Sequence, residues 1–468
     1  MNQSTSTNKS VSTRRDFLLT AASGVAGLSC PELHAAVRQT AAQPGADARS
    51  LRVTDIETHQ ILLPYHDFNA LTLFRYHGLN IQLRTIYVVK TNQGLVGLGE
   101  AWGRGWPEDE VSRYVGTSPF DWIGDTNTLP INMAMYDLMG QYLNLPAWKL
   151  IGPKRRDRIP VAAWTVSQPP EQMADEVRHA ARAGYRWLKY HVDEVQNVVD
   201  QTAAMQEAAP PGFKVHYDFN GNATFEAIAP ILIKLEEFPV AGRFEDPIVA
   251  SDRDGWRRLR DMTSLPILVH HGPIEFLVEG IVDGLMAGHA AIGQAAQIAA
   301  VADTNNIPIM LQQCGGTINQ AFLAHEAAAF RMATIDHVNL ARLWKDDVTN
   351  ETMPIVDGQV EVPDGPGLGV TLNPEKLEKY KSAPRPEYQP FLVRIRYRGG
   401  PTIYTRHDPD QPGATDNLRF LNRLLGEKIP GPAPAYDNPV VSDFRADRDS
   451  TEFQHLWNAT RDGPVVIE

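Results

Sequence analysis

The chain runs to 468 residues, enough for two or three domains with a large buried core. Its balance is acidic, 44 Lys plus Arg against 56 Asp plus Glu for a formal net charge of -12, with no basic stripe, so nucleic acid is not an expected partner. Hydrophobic residues make up 43%, yet no apolar run reaches the ~18 residues of a spanning helix, so no transmembrane segment is expected.

The first fifty residues read as an address. Arg14 and Arg15 stand ahead of the short apolar segment Phe17 to Leu28, and this pattern resembles a Tat export signal, which implies a periplasmic or extracellular bacterial protein. Residues 39–50 are small and polar, a linker. Cys30 and Cys314 are the two cysteines, so removal of the leader leaves no internal disulfide.

From Leu51 the chain alternates. Val53 to Leu63 and Ile81 to Thr91 read as strands, and the turn Asn92-Gln93-Gly94 leads into Leu95 to Glu100 as a hairpin. Pro130 starts a helix whose apolar residues Ile131, Ala134, Met135, Leu138, Met139 and Tyr142 repeat at three and four. After Arg158 strands and helices take turns: Ile159 to Trp164, a helix from Glu171, Trp187 to His191, a helix around Val195 to Ala208, and Lys214 to Tyr217 ending on Asp218. The series goes on with a helix from Phe225, Val240 to Phe244 ending on Glu245, Leu268 to His271, Ile281 to Leu285, a helix from Gly293 to Thr304, and Ile307 to Gln312. Repeated parallel units mean a (β/α) barrel or a doubly wound sheet, with the chemistry at the carboxyl ends of the strands. Asp218 and Glu245 should then stand side by side at one mouth, where two acids suit a divalent cation with oxygen ligands; the alternative is that each caps the helix after its strand.

Three stretches in order carry a resemblance. They are the hairpin Thr91 to Glu100 (TNQGLVGLGE), the helix Met135 to Gly140 (MYDLMG) with Leu145-Pro146 and Leu150-Ile151-Gly152, and the segment Val360 to Gly369 (VEVPDGPGLG). Together they resemble the enolase superfamily, in its mandelate racemase and muconate lactonizing enzyme group. The resemblance implies an α/β fold, a TIM-type (β/α) barrel with an N-terminal α+β capping domain. It divides the chain into a leader and linker (1–50), cap (51–158), barrel (159–350), a segment returning to the cap (351–384) and an extension without counterpart (385–468). It also implies one divalent cation, Mg²⁺ by family habit, a small-molecule carboxylate substrate and a homo-oligomer.

Residue by residue, the resemblance maps Asp218 and Glu245 onto the third- and fourth-strand metal ligands. Counting five residues from Pro266 puts His271, preceded by His270, where the family has an acidic third ligand. Either His271 completes a mixed site that tolerates Mn²⁺, Fe²⁺ or Zn²⁺, or the site has lost its metal. Lys189 keeps the first lysine of the family's second-strand Lys-x-Lys, and His191 takes the place of the second, the base; strand alternation turns both side chains the same way. Histidine titrates near neutrality, so His191 suits the work of a general base. Asp283 is the candidate for the family's sixth-strand Asp, and His289 for the acid on the far side. These residues imply removal of a proton α to a carboxylate, with dehydration of a sugar acid as the leading reaction. Racemisation by His191 and His289, or a secreted carboxylate-binding protein without turnover, are the alternatives. Substrate choice falls to loops such as Tyr65 to Gly78 and Gly103 to Asp109.

The leader makes its own prediction. Arg14→Lys combined with Arg15→Lys should keep the precursor inside the cell, because the Tat receptor reads the arginine pair and not charge alone. Cell fractionation decides it, and unchanged export would identify an ordinary secretory signal.

Overall fold

The computed structural model describes residues 50–467 apart from 78–81, 193–197, 222, 387–388, 398–399 and 409–439. Arg14, Arg15, Cys30, Gly78, Ile81 and Val195 lie outside the described residues. Three sheets account for the strands. The first is antiparallel, in the order β1 (Val53–Leu62), β2 (Leu83–Thr91), β3 (Val96–Trp102), with helix α1 (Ala70–His77) between β1 and β2. Helix α2 (Leu129–Leu143) packs on this sheet, Pro130 in its first turn and Asn144 closing it in the left-handed conformation at φ 55°. The sheet and helix meet closely because β3 alternates with glycine: a Cβ on Gly99 would stand 2.0 Å from the Pro130 carbonyl.

The second sheet is the barrel. Its strands are β4 (Arg158–Val166), β5 (Trp187–His191), β6 (Lys214–Asp218), β7 (Ala241–Glu245), β8 (Ile267–Val269), β9 (Gly284–Gly288), β10 (Ile309–Gln312) and β11 (His337–Val338). All eight pair in parallel in chain order, and β11 closes the ring by pairing with β4, His337 opposite Val161. Helices α3 (Pro170–Arg182), α4 (Val198–Ala208), α5 (Phe225–Leu235), α6 (Arg253–Met262), α7 (Ile292–Asn305) and α8 (Thr317–Ala329) lie between them. This is a TIM-type barrel beneath an N-terminal α+β cap. A short strand, β12 (Gln359–Glu361), runs antiparallel to β4, and helix α9 (Pro374–Lys381) follows it. The chain then forms a third sheet, order β15 (Val440–Arg445), β13 (Phe391–Tyr397), β14 (Thr402–His407), β16 (Val465–Ile467), with helix α10 (Thr451–Ala459). One apolar core runs from Ile86 in the cap through Tyr217 and Phe244 in the barrel to Val393 in this third sheet.

The cap is fastened to the barrel by a buried ion cluster. Arg84 on β2 is fully buried, ion-paired to Glu100 on β3 and 3.0 Å from Asp347. Glu100 accepts from the backbone N–H groups of Gly316 and Asn319 at the start of α8, where the helix dipole favours a negative charge. Asp347 accepts from Thr317 through both its N–H and its hydroxyl. Asp137 on α2 makes a second tie, accepting from the N–H of Leu98 and, across the chain, from that of Leu368.

Two stability predictions follow from these buried charges. Arg84→Met strands two acids and should cost roughly 3–5 kcal/mol in urea unfolding, whereas a loss under about 1 kcal/mol would show the cluster to be dispensable. Glu326 on α8 has only Gln313 Nε2 as a donor, 2.5 Å away, and burial pushes its pKa up to about 8. Its folded form therefore keeps a proton that the unfolded chain gives up near the ordinary carboxylate value, so its contribution is whole in acid and is lost as pH climbs to about 8. Glu326→Gln should gain on the parent steadily over that window, on the order of 4 kcal/mol at its top, and a gain independent of pH would refute this.

Candidate active site

Strand register builds the site. Lys189 pairs with His216, His191 with Asp218, and Asp218 with Glu245, so β5, β6 and β7 deliver their last residues side by side at the carboxyl mouth. Alternation puts Lys189 and His191 on the inner face, while Tyr190 between them points outward to Gln201, 3.1 Å away. Neither acid caps a helix. The caps of α5 and α6 are Thr224 and Asp252, whose side chains accept from Ala227 and Gly255, so both carboxylates are left for the mouth.

Lys189 is the centre of the cluster. Its ammonium, wholly buried, hydrogen-bonds to Glu245 Oε1 at 2.9 Å and Gln312 Oε1 at 2.6 Å, and lies 2.9 Å from Asp218 Oδ2. Burial alone would strip its proton, but the charges of Asp218 and Glu245 outweigh burial and raise its pKa. Two carboxylates that share one ammonium are compensated unequally. Burial and then the like charge of Glu245 push Asp218 well above the usual carboxylate range. Burial acts the same way on Glu245, yet Lys189, with His216 and His270 beside it, brings that group below its ordinary value. His191 Nε2 stands 3.4 Å from Asp218 Oδ2, its ring edge-on to Trp164 with centroids 5.0 Å apart.

Under Glu245 lies a residue that sequence reasoning missed. His216 accepts at Nδ1 from Arg243 Nε, 3.1 Å away, which places its proton on Nε2, 2.7 Å from Glu245 Oε2. Burial holds its pKa at about 3, so it is a neutral donor. Its signal was present in the sequence, two residues before Asp218 and hence on the same face. Gln312, the last residue of β10, supplies the third oxygen around Lys189.

Two candidate positions change, those of His271 and Asp283. His271 turns away: its Nδ1 lies 2.6 Å from Asp246 Oδ2, an interaction that raises its pKa, and its side chain is 62% exposed. The inward residue is His270, whose Nδ1 stands 3.4 Å from Glu245 Oε1 and whose ring fills the space over Gly288. β8 ends at Val269, and Asp246 anchors the N–H groups of both histidines, which fixes the turn that sends one in and the other out. Asp283 lies just before β9, accepts from the N–H of Ile267 and pairs with Arg260. It is at the opposite end of the barrel from the mouth and takes no part in the site. His289, directly after β9, is at the mouth; burial first, then the charges of His270, Lys189 and His271, hold its pKa at about 4. Its Nε2 is 3.8 Å from the thiol of Cys314, which burial pushes up to about 12.

The donor set suits a cation. Asp218 Oδ2, Glu245 Oε2 and His270 Nδ1 are buried atoms on three consecutive strand ends, the first 2.9 Å from Lys189 Nζ and the second 2.7 Å from His216 Nε2. Two carboxylates and one imidazole match Mn²⁺, Fe²⁺ or Zn²⁺ better than Mg²⁺, which prefers oxygen alone. His270 Nδ1 offers either a lone pair to an ion or a proton to Glu245, not both. Beside this set, the ligand atoms of Asp246, His270 and His271 lie within 4.8 Å of one another, a second group able to hold a metal ion among the described residues. A cavity of about 400 Å³ opens between cap and barrel, with Trp102, Trp106 and Pro130 on the cap side and His289, Cys314 and Asn319 on the barrel side.

Comparison with known proteins agrees with this architecture. Residues 172–376 match the family described as enolase C-terminal domain-like. D-gluconate dehydratase of Thermoproteus tenax is 26% identical over 281 residues, 54% of this chain, and the match spans only 56% of that protein's length. D-xylonate dehydratase of Haloferax volcanii is 25% identical over 62% of this chain and 84% of its own. N-succinyl-L-Arg/Lys racemase of Bacillus cereus is 23% identical, covering 59% and 77%. Among solved structures, muconate lactonizing enzyme from Pseudomonas putida superposes with a TM-score of 0.57 at 21% identity, over 70% of this chain and 99% of that one. Family match, barrel order and capping hairpin together make residues 172–376 an enolase C-terminal domain-like unit, within a fold shared with the muconate lactonizing enzymes.

Proposed function

We propose that this protein is an exported enzyme that removes the proton α to the carboxylate of a sugar acid or related hydroxy acid and expels the β-hydroxyl as water. The observation that carries the reading is the placing of His191 beside Lys189, Asp218 and Glu245 at one mouth, a proton acceptor next to a charged, buried cluster. Relatives named as sugar-acid dehydratases support the reaction class. Asp218, Glu245 and His270 would hold a divalent ion, and such an ion, when bound, stabilises the negative charge that develops on the substrate carboxylate. His191 takes the α-proton at Nε2. Lys189 fixes the two acids and offsets one of their two charges, and Trp164 sets the plane of the His191 ring.

Dehydration is favoured over racemisation by the state of His289. A two-base racemase needs one base free and the other protonated at the same pH, and His289, held at about 4 chiefly by burial, has no proton to give near neutral pH. Dehydration can use His191 alone: it takes the α-proton and hands it to the β-hydroxyl, which leaves as water while the Cα–Cβ double bond forms.

The test is α-proton exchange in D₂O with Mn²⁺ or Mg²⁺ and a panel of hydroxy acids, read by NMR and mass spectrometry. The parent should exchange the α-proton and lose water from at least one acid. His191→Asn should lower exchange by about 10²–10⁴-fold while metal content by elemental analysis stays unchanged. Exchange with inversion and no water loss would make the protein a racemase, and an Asn variant as fast as the parent would move the base to Lys189 or His289.

A further inference from the structure

The cavity beside the mouth has walls that select more than a carboxylate. Its cap side is the turn that follows β3, and this turn is pinned: the Gly103 N–H donates to the Leu83 carbonyl, the Thr85 hydroxyl donates to the Gly103 carbonyl, and the Trp106 N–H donates to the Tyr87 hydroxyl at 2.7 Å. Gly105, at φ +77°, lies where a Cβ would strike the Tyr87 hydroxyl at 2.3 Å, so the backbone is pressed against the sheet and Trp106 is held where it stands. Trp102 and Trp106 both line the cavity, yet 40% and 42% of their surfaces face solvent. Large indoles are not left half exposed and rigidly mounted without use; they give contact area at little entropy cost. Opposite them the barrel side offers His289 and Cys314, next in sequence to the strand ends that carry Gly288 and Gln312.

We infer that the cavity takes a carboxylic acid whose hydroxylated skeleton is closed into a saturated ring, a pyranose uronate, with the ring's apolar C–H face against Trp102 and Trp106. An open-chain polyol acid presents hydroxyls on every side and needs a polar partner for each, whereas this cavity sets its polar groups, Arg104, His289 and Asn319 among them, beside a continuous apolar wall of two indoles, Ala101, Leu129 and Pro130. An aryl acid would gain most from a closed apolar slot. A half-exposed indole wall instead dehydrates one face of a ring and leaves its other face and hydroxyls in water.

This inference rests on the proposed function for the carboxylate's place at the mouth, but it is tested by binding. The metal-loaded protein is titrated by calorimetry with the methyl glycoside of D-galacturonic acid, locked as a pyranose, with D-galactonate as the open-chain acid of the same carbon number, and with mandelate as the aryl acid. The locked uronate should bind at least about tenfold tighter than the other two. Trp106→Ala should weaken it about tenfold with no change for galactonate, and Trp106→Phe should restore most of the loss. Equal affinity for galactonate, tighter mandelate binding, or indifference to Trp106→Ala overturns the inference. Binding of the uronate without α-proton exchange leaves the inference standing and removes the proposed reaction; exchange confined to galactonate does the reverse.

Discussion

An ammonium buried among acids organises this molecule. A lysine charge taken out of water costs several kcal/mol unless oxygen atoms replace its hydration, and Lys189 has three of them within 2.9 Å, one each from Asp218, Glu245 and Gln312. Those oxygens come from β6, β7 and β10, on both sides of the barrel, so the ammonium ties strands that are not neighbours. Below it the compensation continues. Glu245 faces His216, His216 accepts from Arg243, and Arg243, stacked 3.8 Å above the Trp187 ring, pairs with Asp336 before β11. The polar interior is one ladder from the amino end of the barrel to its mouth, with donors and acceptors in alternation. His191 sits on its last rung.

The cap depends on a similar device. Arg84, Glu100 and Asp347 join β2, β3 and the start of α8, and the same β3 ends in Trp102 and the pinned turn that walls the cavity. Cavity shape is therefore set by the docking of cap on barrel. A second brace comes from the third sheet. Arg75 of α1 lies over the rings of Phe391 and Phe444, 5.7 and 5.1 Å from their centroids, while Asn69 and Thr72 bond to Glu176 and Gln172 of α3. Residues 69–75 are thus held between barrel and extension, which gives Phe391 and Phe444 a structural part that no resemblance supplied.

Much of the barrel was legible because short apolar runs alternate with helices, three successive runs end on His191, Asp218 and Glu245, and a period of two fixes which residues share a face. Lys189, His191, Asp218 and Glu245 were all readable from that rule. The fifth strand was not, because a shift of one residue exchanges inside for outside, and nothing in Val269-His270-His271 says where pairing stops. Asp283 misled for another reason: Ile281 and Val282 look more strand-like than Gly284 to Gly288, whose glycines, Leu, Met and Ala have weak preference, so the strand was placed three residues early. The choice between metal ligand and helix cap was open to the sequence after all. Thr224 and Asp252 are better cap residues than the acids upstream, and each stands immediately before its helix.

The histidine in the fifth-strand position changes the charge count of the mouth. With Lys189 positive and Asp218 and Glu245 ionised, the cluster carries one formal negative charge, where a third acid would leave two. Burial first, and then the like charge of Glu245, raise the Asp218 pKa. A divalent ion alone would overshoot to one positive charge, and the carboxylate of a substrate would return the total to zero. Ion and anionic substrate therefore favour one another, each binding more tightly with the other present, as linkage requires. An acid in place of His270 would balance the ion without a substrate. Under the proposed function, the imidazole would leave that last charge for the substrate to bring, and the mouth would be electrostatically complete only with a carboxylate in place.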